Sequence, residues 1–112
     1  DLSGGVTVVA VPVFFGHSAA VHLRLARNLD ADRARTVLRK ARGVRVIDEG
    51  RGARFPTAAT EAVDSADVLV GRIRDDASRE RGLALWVVAD NARKGSAKNA
   101  VQIGEILVKD YL

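Results

Sequence analysis

Residues 67–76, DVLVGRIRDD, and 82–90, GLALWVVAD, are two apolar runs with only the short, mostly polar stretch 77–81, ASRER, between them. Both are rich in β-branched or aromatic residues and read as strands. So short a connection cannot return the chain to start a parallel neighbour, which needs a crossover of a dozen residues or more. The two runs therefore form an antiparallel pair, and this pair constrains the fold more than any other feature.

The rest of the chain is read around that hairpin. VTVVAVPVF, residues 6–14, is β-branched and reads as a strand, with Pro12 near an edge or a strand end because it lacks a backbone donor. Val21, Leu23 and Leu25 alternate with His22, Arg24 and Ala26, the period of a strand buried on one face, with His22 on the polar face. GHS, residues 16–18, then forms a turn between the two, presenting His17, one of only two histidines. Asp30 caps a helix whose Ala34, Val37, Leu38 and Ala41 share a face and which Gly43 stops. VRVIDE, residues 44–49, is a short strand, and 50–63 is a loop in which Pro56 holds Phe55 extended. Residues 91–112 form an amphipathic helix with Ala97, Ala100, Val101, Gly104, Leu107, Val108 and Tyr111 on one face. The expected order is β-β-α-β-β-β-α. It implies an α+β domain: a mixed, largely antiparallel sheet with helices packed on one face and a long C-terminal helix.

Composition narrows the chemistry. The 112 residues suit one domain, with no internal linker or repeat, and 47% hydrophobic content is that of a globular chain. The absence of cysteine removes disulfides, thiolate metal sites and thiol nucleophiles from these residues. No zinc-ligand spacing or Gly-rich phosphate loop can be assembled, so no metal is expected. No apolar run approaches a membrane span and no signal-peptide pattern opens the chain, which points to a cytoplasmic protein without a membrane partner. A net charge of +4 invites nucleic acid, but Arg24, Arg27, Arg33, Arg35, Arg39, Lys40, Arg42 and Arg45 are interspersed with acids and apolar positions, and no aromatic residues interleave with them. The lack of methionine, and an opening DLSGGVTV inside a strand-like run, suggest a piece of something longer.

Three stretches could carry chemistry. His17, just after a strand end, has the ordinary pKa range of a general acid–base, although a histidine in a turn is commonly only a solvated loop residue. In DNARKGSAKNA, residues 90–100, Asp90 and Asn91 both suit an N-cap, and Gly95 admits close approach to the backbone. Arg93 and Lys94 add cations where the helix dipole is already positive, a local conflict that hints at an anionic partner or a cofactor. Arg72 and Arg74 alternate on one strand face, as in a paired surface, a subunit interface or a substrate contact.

Taken together, VPVFFGHSAAV, VGRIRDDAS and LALWVVADNARKGSAKNAVQIGEIL resemble the C-terminal part of the aspartate-semialdehyde dehydrogenase family, from about Val6 to Leu112. The resemblance implies that residues 1–112 belong to the C-terminal half of a catalytic and dimerisation domain. It also implies an NADP-binding Rossmann domain that is absent from this chain. Members convert aspartyl phosphate reversibly to aspartate semialdehyde in lysine, threonine and methionine synthesis, using a nucleophilic Cys and an acid–base His. His17 matches that His, and Asn99 matches an Asn that fixes the nicotinamide carboxamide, with Gly95 in the same cofactor-binding segment. The implied partners are a small-molecule substrate, the protein's own Rossmann domain and a second copy in a homodimer. Ala10 stands where the family has an Arg that grips the substrate carboxylate, and no Cys is present. The fragment alone is therefore expected to be inactive. A catalytically silent relative that keeps the dimerisation scaffold is the competing expectation. A basic module binding nucleic acid is a third, and it would bind with a steep salt dependence.

Overall fold

A computed structural model describes residues 5–48 and 54–111. Its centre is the expected hairpin, β3 (Val68–Asp75) and β4 (Gly82–Ala89), antiparallel, with Leu69 opposite Val88 and Asp75 opposite Leu83. β1 (His17–Arg24) pairs antiparallel with the other edge of β4, and β2 (Val44–Val46) pairs parallel with β3. The sheet order is β1-β4-β3-β2, and with α1 (Ala31–Lys40) and α2 (Lys98–Tyr111) the fold is the α+β class expected.

Alternation along β4 builds a core on each side. Leu83, Leu85 and Val87 join Val70, Ile73, Ala31 and Ala34 beneath α1. Trp86 and Val88 join Leu69, Ala58 and Ala62 on the opposite face, where the Trp86 indole N–H donates to the Pro56 carbonyl (3.0 Å) and pins the segment around residues 56–64 to the sheet. α1 begins as the sequence predicts. Asp30 accepts from the Arg33 N–H (2.8 Å), and Asp75 at the end of β3 accepts from the Ala31 N–H (3.0 Å).

Four expectations need correction. Residues 6–14 form no strand: they run beside no neighbour, and Val6 and Phe14 are almost fully exposed. β-Propensity expresses itself only against a paired strand and a packed face, and this stretch has neither. His17 accordingly lies not in a turn between two strands but at the first position of β1, opposite Ala89. Of the α1 face expected, Ala34 and Leu38 pack on the core together with Ala31, but Val37 is exposed. Arg35 is half-buried on this helix, its guanidinium bonded to the Asp48 carboxylate (Nε to Oδ2, 2.7 Å). The last helix is also not one continuous α-helix: Arg93–Ala97 is π-helical, and α2 starts only at Lys98. Of the strand expected at 44–49, Val44–Val46 is formed, and Glu49 and residues 50–53 fall outside the described residues.

A β-bulge between Gly71 and Arg74 breaks the alternation of β3, so that Ile73 points to the same core as Val70. Asp48 supplies what the ladder loses there, accepting from the N–H groups of Arg72 (3.0 Å) and Ile73 (3.2 Å). Arg72 takes a left-handed φ of 51° and lies over the Phe55 ring, and Arg74 donates to the Arg72 carbonyl. The two arginines therefore serve the bulge and do not form an aligned pair.

Candidate functional site

The two motifs singled out in the sequence meet at one end of the sheet. His17 opens β1 and Ala89 closes β4, so the register places the GHS stretch directly beside ADN. A side-chain contact locks the junction: the Gly16 N–H donates to Asn91 Oδ1 (2.9 Å), across 75 positions of chain. Gly16 is required on two counts. Its φ is 91°, and a Cβ there would lie 3.0 Å from the Ala58 Cβ and 3.3 Å from the Ala89 carbonyl oxygen. The glycine before the histidine thus fixes where the imidazole starts. The His17 side chain is exposed and has no hydrogen-bond partner among the described residues.

Asp90 and Asn91 divide the capping role that either one suits. Asp90, buried, accepts through Oδ1 from the Arg93 N–H (2.8 Å) and through Oδ2 from the Asp64 N–H (3.2 Å). Its carbonyl accepts from both the Lys94 and Gly95 N–H groups (3.0 Å each), which opens the π-helical turn. Asn91 is thereby left for Gly16. Arg93 reaches Asp64 (Nη1 to Oδ1, 3.2 Å), and both border a cleft of about 440 Å³ whose wall includes Phe15, Asp90 and Ala97. Lys94 turns the other way, toward Gln102 and Gly43.

Gly95 and Asn99, the residues linked by resemblance to the cofactor, follow on this same run. A Cβ at Gly95 would come no closer than 3.7 Å to a neighbouring atom, so internal packing does not demand glycine there. Asn99 is exposed in the first turn of α2. Ala10 is exposed on the irregular stretch before β1. Of the strand arginines, Arg74 is in register with Ala84, about 16 Å down β4 from Ala89 at roughly 3.3 Å per residue, and Arg72 lies over the Phe55 ring. Among the described residues no group of three or more acidic or histidine side chains could hold a metal ion.

The second histidine has a different setting. His22 Nδ1 lies 2.9 Å from Asp76 Oδ2, joining β1 to the β3–β4 turn. Ser78, through its hydroxyl and N–H, and then His22 hold the Asp76 carboxyl well below the usual carboxylate range. Sequence reading missed Asp48, Asp64 and Asp76. For Asp76 a signal was present, the Asp-x-Ser spacing of an Asx turn.

One end of the sheet of this α+β domain thus joins a Gly-His junction to the Asp90-capped start of the last helical run. Residues 2–94 match the family model described as "Semialdehyde dehydrogenase, dimerisation domain", and the chain belongs to that family. It is 58% identical over 106 residues to the aspartate-semialdehyde dehydrogenase of Legionella pneumophila, covering 95% of this chain and 30% of that protein. It is 50% identical over 105 residues to aspartate-semialdehyde dehydrogenase 2 of Vibrio cholerae, again covering 94% and 30%. Among solved structures, aspartate semialdehyde dehydrogenase II from Vibrio cholerae complexed with ASA superposes with a TM-score of 0.82 at 48% identity, over 91% of this chain and 30% of that one. The chain spans about 30% of the length of these relatives. No helix among the described residues is long and apolar enough to cross a membrane.

Proposed function

We propose that this chain is the domain of an NADP-dependent aspartate-semialdehyde dehydrogenase that supplies the acid–base His17 and the cofactor-facing residues Gly95 and Asn99. It would also carry the contact with a second copy. The observation that carries this reading is the Gly16–Asn91 hydrogen bond, which holds the histidine and the Asp90–Asn99 run in one place.

His17, exposed at the start of β1, would exchange a proton with the reacting carbonyl or its adduct, and the rigid β1–β4 ladder keeps its backbone still while it does so. The residues present fit a nicotinamide. Gly95 is exposed and bears no side chain, and the exposed Asn99 amide has both a donor and an acceptor for a carboxamide. When bound, NADP supplies hydride chemistry. The nucleophile must come from outside these residues, because they contain no Cys, and so must most of the nucleotide site. The domain by itself is accordingly inactive on this reading.

Ala10 supports a second reading, a scaffold that has given up the chemistry. A methyl group cannot pair a substrate carboxylate, and a buried anion without a partner is costly. One assay separates the two: phosphate-dependent, NADP-linked oxidation of aspartate semialdehyde by the full-length protein. Under the enzyme reading it proceeds, Ala10→Arg changes it little, and His17→Gln lowers kcat by about 10²–10⁴. An inactive protein that Ala10→Arg does not revive is the silent relative.

A further inference from the structure

Lys94 resolves the conflict noted in the sequence, two cations at the start of a helix. Arg93 is taken up by Asp64 on one flank. The Lys94 ammonium goes to the other flank, where Nζ donates to Gln102 Oε1 (2.6 Å) and lies against Gly43, 3.3 Å from where a Cβ would be. Gly43 follows the C-terminal end of α1, with a φ of 71°. That end carries the negative pole of the α1 dipole, so an ammonium unfavourable to its own helix is favourable there. A side chain at residue 43 would crowd the ammonium, and the positive φ there already favours glycine. It ties residue 94, residue 102 and the α1–β2 turn into one unit.

α2 gains little from other sources, since none of its residues is buried and its main packing partner is the π-helical segment that precedes it. We propose that Lys94 is a positioning residue. It sets the direction in which α2 leaves the sheet, and with it the placement of Gly95 and Asn99. The inference rests on the reading that these two residues meet NADP, and it adds the group that holds them in place.

The test uses Lys94→Met and Lys94→Arg in the full-length protein, with steady-state kinetics and amide hydrogen exchange over residues 98–102. Lys94→Met is expected to raise the KM for NADP about tenfold with kcat within twofold, the effect of displaced binding groups. Lys94→Arg, which keeps the cation, recovers most of that loss. Exchange over 98–102 quickens in Lys94→Met alone. A KM for NADP that does not move, or a loss that falls equally on kcat, overturns the proposal. If the wild type shows no NADP-linked activity, the functional reading fails, and exchange alone then decides: quickening in Lys94→Met upholds the positioning role, and unchanged exchange removes it.

Discussion

β1 and β4 are antiparallel partners over eight residue pairs, yet they live in different surroundings. β4 buries Leu83, Ala84 and Val88, between two cores. β1 buries none of its residues, and Leu23 is 37% exposed. Backbone pairing is therefore enough to define a strand, while burial depends on what lies beyond it. Beyond β4 are β3, α1 and the segment around Pro56. Beyond β1 no strand is found among the described residues, and the apolar stretch Val6–Phe15 that precedes it in sequence is largely exposed. Apolar surface of that extent is typical of an interaction face, and it lies within residues 2–94, which match the dimerisation-domain model.

The contrast can be broken by substitution. Leu69→Ala, in the fully buried centre of β3, is expected to cost about 2–5 kcal/mol. Leu23→Ala on β1 should cost less than about 1 kcal/mol in the isolated domain. Urea unfolding followed by Trp86 fluorescence measures both. A Leu23→Ala cost as large as that of Leu69→Ala would mean that β1 is covered in solution. Next in size is Asp48→Ala, about 2–3 kcal/mol, since it removes the acceptor of the Arg35 Nε and of two backbone N–H groups of the bulge, while Arg35 keeps Asp32 and the Ile73 carbonyl. Gly16→Ala follows at about 1–3 kcal/mol, through its left-handed φ and the contact with Ala58. It should also weaken any activity that His17 provides, which a control at the remote Gly104, where a Cβ meets nothing, will not do.

The smallest effect is in acid. Hydrogen bonds from the hydroxyl of Thr60 and then the N–H of Thr57 lower the Glu61 carboxyl to about 2. Asp76 is likewise lowered. A carboxyl lowered in the folded state adds stability above its unfolded value, and that stability is lost as pH falls from there toward the folded value. For Glu61 the window runs from about 4.5 down to about 2. Glu61→Gln should lower the neutral Tm slightly and flatten its fall across that window, the two proteins converging as pH nears the folded value.

The hairpin, the Asp30 cap and the Asp90–Asn91 helix start were legible because each depends on neighbours a few residues away. The errors came from distant partners. Residues 6–14 have the composition of a strand but no strand beside them. Arg35 looks like a surface position until Asp48, 13 positions on, is folded beneath it. The bulge at Arg72 carries a non-glycine residue at positive φ, which periodicity cannot anticipate. The candidate site was half legible: both motifs stood out, but the bond that unites them joins Gly16 to Asn91, and proximity of that kind is not written in either motif.

The same long span between Gly16 and Asn91 has a consequence during synthesis. Ribosomes add about 5–20 residues per second and release the amino-terminal part first. β1 therefore emerges seconds before β4 exists, whereas β3 and β4 can zip together as soon as their short turn is made. Through that interval Val6–Phe15 and β1 are a nascent apolar ribbon without a mate. β4 is the last of the four strands to be made, so β1 completes its backbone pairing only then.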